Sequence, residues 1–199
     1  MSITVLDSGP LTTVQDAGRV GYAAQGYRSC GAADGYAYRL GNVLVGNDPG
    51  AAVLECTLLG AALRFETDTV FALTGAESPA ALDSTPVPYY APLLAKAGSV
   101  LQMGAAKTGL RSYLAVGGGI ATPPVLGSRA TDVKCGIGGL EGRKLTVGDT
   151  LPIGSCDTPA LWQAITAKRL DRPLRDKTVC GELHPMRVQG TQMLPLLRA

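Results

Sequence analysis

The sequence predicts a mainly β fold that carries one or two short helices. Three observations predict it. Short runs of β-type residues recur between turn signals, at a spacing seen in sandwiches and barrels. The 199 residues include 26 glycines and 13 prolines scattered without period, which excludes collagen and supplies many turns. Hydrophobic residues make up 46% and charged ones 17%, against about 25% charged in an average domain, so a core is expected and intrinsic disorder is not.

The predicted strands follow in order. Ile3–Leu6 comes first, then Val53–Leu59, Ala62–Phe65 and Thr69–Leu73. Val87–Tyr90 follows a proline-containing turn, and Ser99–Met103, Ser112–Val116 and Lys144–Val147 close the set. Turn chemistry separates them: Gly46-Asn47-Asp48-Pro49-Gly50, Thr74-Gly75-Ala76-Glu77, Gly117-Gly118-Gly119 and Gly148-Asp149. Two segments have helical spacing. In Gly35–Val45, Tyr36, Leu40, Val43 and Leu44 fall on one face, with Asp34 as N-cap. In Pro159–Leu170, Thr158 is the expected cap, Pro159 takes the first position, and Leu161, Ala164 and Ile165 share a face. The charged stretch Asp171–Lys177 reads as a linker.

Several function classes are excluded. A net charge of +2 without a clustered basic face gives no nucleic-acid footprint. No apolar run approaches the ~18 residues a membrane span needs, and Met1–Val5 lacks a signal-peptide pattern, so a cytoplasmic location is expected. The cysteines (Cys30, Cys56, Cys135, Cys156, Cys180) show no C-x-x-C spacing and read as reduced, buried small hydrophobes. The single histidine, His184, has no nucleophile elbow to serve, and no metal site is expected. Gly104-Ala105-Ala106-Lys107-Thr108 and Gly136–Gly142 both miss the spacing of nucleotide loops, so ATP would be handled by another chain. Chemistry is left to carboxylates, Arg, Lys, Tyr, hydroxyls and backbone amides.

Four places carry such groups. Gly9–Arg19 reads as a polar loop after the first strand, in which Gln15, Asp16 and Arg19 suit recognition of a carboxylate or amide, or else form a turn with Asp16 paired to Arg19. Gly117-Gly118-Gly119 follows a strand and offers backbone N–H groups to an anion, or is a tight turn. Glu55 interrupts the apolar run Val53–Leu58 and either faces solvent or needs a buried partner. Arg111 and Arg129 are candidate partners for it, or clamps for a substrate carboxylate.

Taken together, these stretches resemble a known family. G-P-L-T-T-V-Q-D-x-G-R-x-G-Y (Gly9–Tyr22) is similar to the opening signature of the KipA family, also called allophanate hydrolase subunit 2 or biotin-dependent carboxyltransferase-like proteins. Gly31-Ala32-Ala33-Asp34 resembles its S-G-A-x-D, and Leu54-Glu55-x-Thr57-Leu58-x-Gly60 its L-E-x-T-L-x-G. Gly109–Ile120 resembles its glycine-rich strand, and Leu126-Gly127-Ser128-Arg129-x-Thr131 and Gly139–Asp149 complete a collinear run over residues 3–153.

The resemblance implies a cyclophilin-like β-barrel over residues 1–155, with residues 156–199 forming a helix, a linker and the stub of a second barrel, whose opening Pro185–Gln192 resembles. It implies work as the C-type subunit of an ATP-dependent 5-oxoprolinase, converting 5-oxoproline to glutamate with a KipI-like B-type and a LamB-like A-type subunit. The isolated chain would then be inactive, with no cofactor of its own and ATP at the level of the complex. Two alternatives stay open: a KipA-type regulator of a KipI-type partner, and a urea carboxylase or allophanate hydrolase carboxyltransferase acting with biotin. The implied site comprises Gln15, Asp16, Arg19, Asp34, Glu55, Arg111, Gly118, Ser128 and Arg129. Asp16, Asp34 or Glu55 would serve as base or orienting carboxylate, Arg111 and Arg129 as anion receptors, Gly118 as a backbone donor, and Gln15, Arg19 and Ser128 as substrate contacts.

Overall fold

A computed structural model describes residues 1–171. Its strands are β1 (Ser2–Asp7), β2 (Thr12–Gln15), β3 (Val53–Thr57), β4 (Ala62–Phe65), β5 (Thr69–Gly75) and β6 (Ala80–Leu82), then β7 (Thr85–Pro86), β8 (Pro92–Ala95), β9 (Val100–Met103), β10 (Arg111–Val116) and β11 (Thr150–Pro152). Helices α1 (Gly35–Leu44) and α2 (Thr158–Asp171) and a short 3-10 turn (Ala23–Gln25) complete the described elements. The mainly β expectation holds. All ladders are antiparallel and form two sheets, ordered β11-β1-β4-β9-β6-β7 and β2-β3-β10-β5-β8. No ladder closes them into a barrel among the described residues.

One core lies between the sheets. The first contributes Ile3, Val5, Leu63, Phe65 and Leu101, and the second Val14, Leu54, Phe71, Leu73 and Leu114. Phe65 and Phe71 join them by stacking, with ring centroids 5.2 Å apart. Because strand side chains alternate, the second sheet turns Thr13, Glu55, Tyr113 and Thr74 to its other face, in cross-strand register. Helix α1 covers that face: the Thr74 hydroxyl donates to the Ala37 carbonyl at 2.7 Å, and Gly41 lies against Thr74 and Ala115. Burial on both faces brings polar side chains inside, and Glu55 is 6% exposed.

Several expectations need correction. The polar stretch Gly9–Arg19 contains strand β2, whose four residues are all buried. Val87–Tyr90 is a connection between β7 and β8, and Tyr90 has φ +60°, incompatible with extended pairing. Lys144–Val147 is a connection that runs into a turn at Val147-Gly148, because the Asp149 carboxylate accepts from the Thr146 amide and from Arg143; the strand forms just after it, as β11. The limits of α1 match to one residue and Asp34 caps it, accepting from the Tyr36 and Ala37 amides. Its inward face, however, is Ala37, Tyr38, Gly41 and Asn42, while Val43 is 48% exposed. Small residues let the helix backbone approach the sheet, which apolar spacing alone does not signal. Asp157, rather than Thr158, caps α2, its carboxylate accepting from the Ala160 amide at 3.0 Å.

Cys56 is buried as expected, but Cys135 is exposed and Cys30 and Cys156 are half-buried. Met1–Gln163 forms one compact unit, and Ala164 begins a second. The predicted linker beyond Asp171, Cys180, His184 and Pro185–Gln192 lie outside the described residues. No helix among the described residues is long and apolar enough to cross a membrane.

Candidate functional site

Two clusters form beside the N-terminal end of α1, and one loop joins them. The first begins where β2 ends. The Asp16 carboxylate accepts from the Gly18 amide at 2.8 Å, the Ser128 hydroxyl at 2.7 Å and the Arg129 amide at 2.5 Å. Asp16 is therefore pinned to the 128–129 segment and is not the partner of Arg19. Arg19 instead donates through Nη2 to the Ala130 carbonyl at 2.6 Å. Gln15 donates through Nε2 to Thr131 O at 3.3 Å and to the Thr13 hydroxyl at 3.0 Å. Arg129 turns its Nε to the Thr122 carbonyl at 2.7 Å, away from Glu55. Gly138, at φ +72°, makes this packing possible: a Cβ there would stand 2.8 Å from Arg19 Nη2.

The second cluster centres on Glu55. Its Oε2 accepts from the Tyr113 hydroxyl at 2.8 Å and from the Ala33 amide at 2.8 Å. Its Oε1 lies 3.6 Å from Arg111 Nη1, which also donates to the Thr57 hydroxyl. Of the two sequence readings, the buried-partner one holds, and Arg111 is the partner. The Tyr113 hydroxyl also accepts from the Asp34 amide at 2.7 Å, and burial pushes its pKa well above the ordinary phenol value. Tyr113 thus stays a neutral donor to the carboxylate.

Residues 29–34 bridge the clusters. The Ala32 amide donates to Asp16 O at 2.9 Å, and the Arg19 amide donates to Ser29 O at 2.8 Å. A third group joins this loop. Arg28 is bonded to Asp132, which is fully buried, and the bond holds that carboxyl well below the usual range despite its burial. Cys30 and Cys135 flank it; burial pushes the Cys30 thiol up, and the Asp132 carboxylate pushes Cys135 up, so neither is an activated nucleophile.

All the residues named from the sequence thus belong to this bridged assembly except Gly118. It sits at the opposite end of α1, where its N–H donates to Asn47 Oδ1 at 2.8 Å. With φ +86° and Gly154 O in the way of any Cβ, it is a turn glycine. The sequence reading missed Tyr113, Arg28 and Asp132 as site members. Tyr113 carries a signal, since it alternates with Leu114 on an apolar strand opposite Glu55; the other two carry none. Among the described residues, no group of three or more His, Cys, Asp or Glu is placed to hold a metal ion.

Fold and site define a mainly β domain that buries carboxylate, guanidinium and phenol groups around loops at one end of a sheet. The chain belongs to the family of carboxyltransferase domains, subdomains A and B, whose model matches residues 25–189. It is 52% identical over 152 residues to the C-type subunit of the 5-oxoprolinase of Escherichia coli K12, covering 76% of this chain and 49% of that protein. It is 40% identical over 151 residues to a urea amidolyase of Saccharomyces cerevisiae, covering 75% of this chain and 8% of that one. The crystal structure of the K. lactis urea amidolyase superposes with a TM-score of 0.76 at 38% identity, over 80% of this chain and 10% of that one. The chain spans about half the length of the 5-oxoprolinase subunits it matches.

Proposed function

We propose that the chain works as the C-type subunit of an ATP-dependent 5-oxoprolinase. The observation that carries this reading is the 52% identity to a 5-oxoprolinase subunit of that type, above the 40% to urea amidolyase. The site chemistry supports it. Opening a lactam with water builds negative charge on the carbonyl oxygen and needs a proton delivered to the leaving nitrogen. Arg111 beside Glu55 supplies positive charge next to a buried carboxylate. Asp16 and Asp34 act as positioning carboxylates, since one pins the 128–129 segment and the other caps α1. ATP would bind at the level of the complex, which a KipI-like B-type partner and a LamB-like A-type partner would complete. We place the enzyme in the cytoplasm, where ATP is supplied.

The test is reconstitution with B- and A-type subunits, measuring ATP hydrolysis that depends on 5-oxoproline. Turnover is expected only when this chain is present, and Glu55→Gln should lower it by at least tenfold. Equal turnover without the chain would sink the reading. The urea amidolyase relatives favour a second one, transfer of a carboxyl group from biotin. Binding of a biotinylated carrier domain, with no lactam-dependent turnover in the reconstituted system, would select it.

A further inference from the structure

Residues 17–33 form a loop whose two ends meet. The Arg19 amide donates to Ser29 O at 2.8 Å, and the Ala32 amide to Asp16 O at 2.9 Å. Gly18 and Gly31 permit this neck: a Cβ on Gly18 would stand 2.7 Å from Ser29 O, and one on Gly31 2.9 Å from the Gly18 nitrogen. The tip is held as well. The Gln25 and Tyr27 amides both donate to Tyr22 O, at 3.1 and 3.2 Å, and the Gly26 amide donates to Ala23 O at 3.0 Å. Arg28 fastens the returning arm to the buried Asp132. Yet from Val20 to Ser29 every residue except the half-buried Tyr22 is exposed. Fixing a segment costs conformational entropy, and little burial within the chain offsets it here. Compact loops of this shape, presented by a rigid scaffold, commonly carry recognition.

The exposed surface of the loop is chemically one-sided. Val20 is 85% exposed. With Ala23, Tyr27 and Arg28 it lines a groove of about 640 Å³, and every wall residue lies within 19–29. The loop alone therefore builds the groove. The Arg28–Asp132 bond brings a second exposed apolar residue alongside, because Val133 follows Asp132 and is itself 53% exposed. A single exposed valine is ordinary, whereas apolar side chains gathered around a groove mark an interaction surface. Residues 17–33 contain Arg19 and Arg28 and no acidic residue, and 133–140 add Lys134 and no acidic residue. Arg19 is buried, so the exposed cations are Lys134 and the half-exposed Arg28. An apolar groove rimmed by cations complements an apolar side chain flanked by carboxylates.

We propose that the 17–33 loop, with Val133 and Lys134, is the docking surface for a partner subunit whose contacting segment is acidic around an apolar centre. This rests on the subunit reading for the existence of a partner, and on the chemistry of the loop for the partner's character. The hydrogen-bonded neck and tip keep the ordering cost of association low. The loop runs on to Ala33, whose amide donates to Glu55, so a docked partner stands beside the Glu55 cluster.

The experiment titrates the full chain calorimetrically with the purified B-type and A-type subunits, each in turn, at low and high salt. Saturable binding to one of them is expected, weaker at high salt. Val20→Asp places a carboxylate in the groove at a position too exposed to disturb folding, and Lys134→Glu reverses a rim charge. Each should weaken binding by about tenfold or more. Val147→Asp, at a 68% exposed valine on another turn, should bind as the native chain does. If Val20→Asp and Lys134→Glu bind as tightly as the native chain, the docking surface is overturned while the subunit reading stands. If neither subunit binds the native chain, the subunit reading falls and takes this one with it. Sedimentation of the chain alone tests the remaining occupant: a dimer that Val20→Asp converts to a monomer would assign the groove to a second copy and overturn the proposal.

Discussion

Tyr113 holds together two things the site needs. Its hydroxyl donates to Glu55 and accepts from the Asp34 amide, so one side chain fixes the buried carboxylate and the start of α1. Tyr113→Phe removes a donor from Glu55 and an acceptor from the Asp34 amide. Leaving buried polar groups unsatisfied costs about 1–3 kcal/mol. A drop of that size in urea-unfolding free energy is expected, and an unchanged midpoint would show that both groups find other partners. Glu55→Gln keeps the shape and should cost less than Tyr113→Phe. At this scale the sequence was partly legible. A carboxylate inside Val53–Leu58 announces itself, and so do arginines near glycine loops. What periodicity does not carry is which arginine meets which carboxylate. Arg111 reaches Glu55 because β3 and β10 pair Thr57 with Arg111, and Arg129 does not because its Nε is spent on Thr122.

Helix α1 shows both the reach of pattern reading and its failure. Asp34 and the helical run were visible, and the element forms where expected. The inward face was not visible, because apolar spacing marks Tyr36, Leu40, Val43 and Leu44, whereas close packing selects Ala37 and Gly41. A Cβ on Gly41 would stand 3.1 Å from the Thr74 hydroxyl and 3.2 Å from the Ala115 Cβ. Gly41→Val therefore pushes the helix off the sheet that carries Glu55, and overpacking of this kind costs about 1–3 kcal/mol. Differential scanning calorimetry should show a lower Tm for Gly41→Val. Asp34→Ala acts at the other end of the same element, and loss of such a cap costs about 1 kcal/mol. If Gly41→Val leaves the Tm intact, the helix does not pack as tightly as these distances require. Strand β2 was hidden for a related reason: with both faces buried, Thr12, Thr13 and Gln15 are interior residues, so no polar–apolar alternation marks the strand.

The response of the whole molecule to acid separates an ion pair whose carboxylate is buried from surface ones. Glu66, Asp68 and Asp83 all have their pKa lowered by hydrogen bonds, but they are exposed and their contributions are screened by salt. Asp132 differs, being 0% exposed and held down chiefly by Arg28. A carboxyl depressed in the folded state stabilises fully above its ordinary value, near pH 3.9, and loses that contribution as pH falls from there toward the folded value. In that window the unfolded chain binds more protons, so stability rises with pH. Arg28→Gln removes the main cause of the depression and leaves burial opposed by the weaker hydrogen bond from the Cys135 amide. The variant should be less stable than the native chain at pH 7, and the gap should narrow as both are titrated toward pH 2. Urea midpoints measured across that range, at low and high salt, give the answer. A gap that stays constant with pH means that Arg28 stabilises by packing alone. A gap that vanishes in high salt means that the pair behaves like a surface bridge, although its carboxylate is buried. A gap that survives salt and closes only with acid marks Asp132 as the charge that ties loop 28–30 to the 132–135 segment.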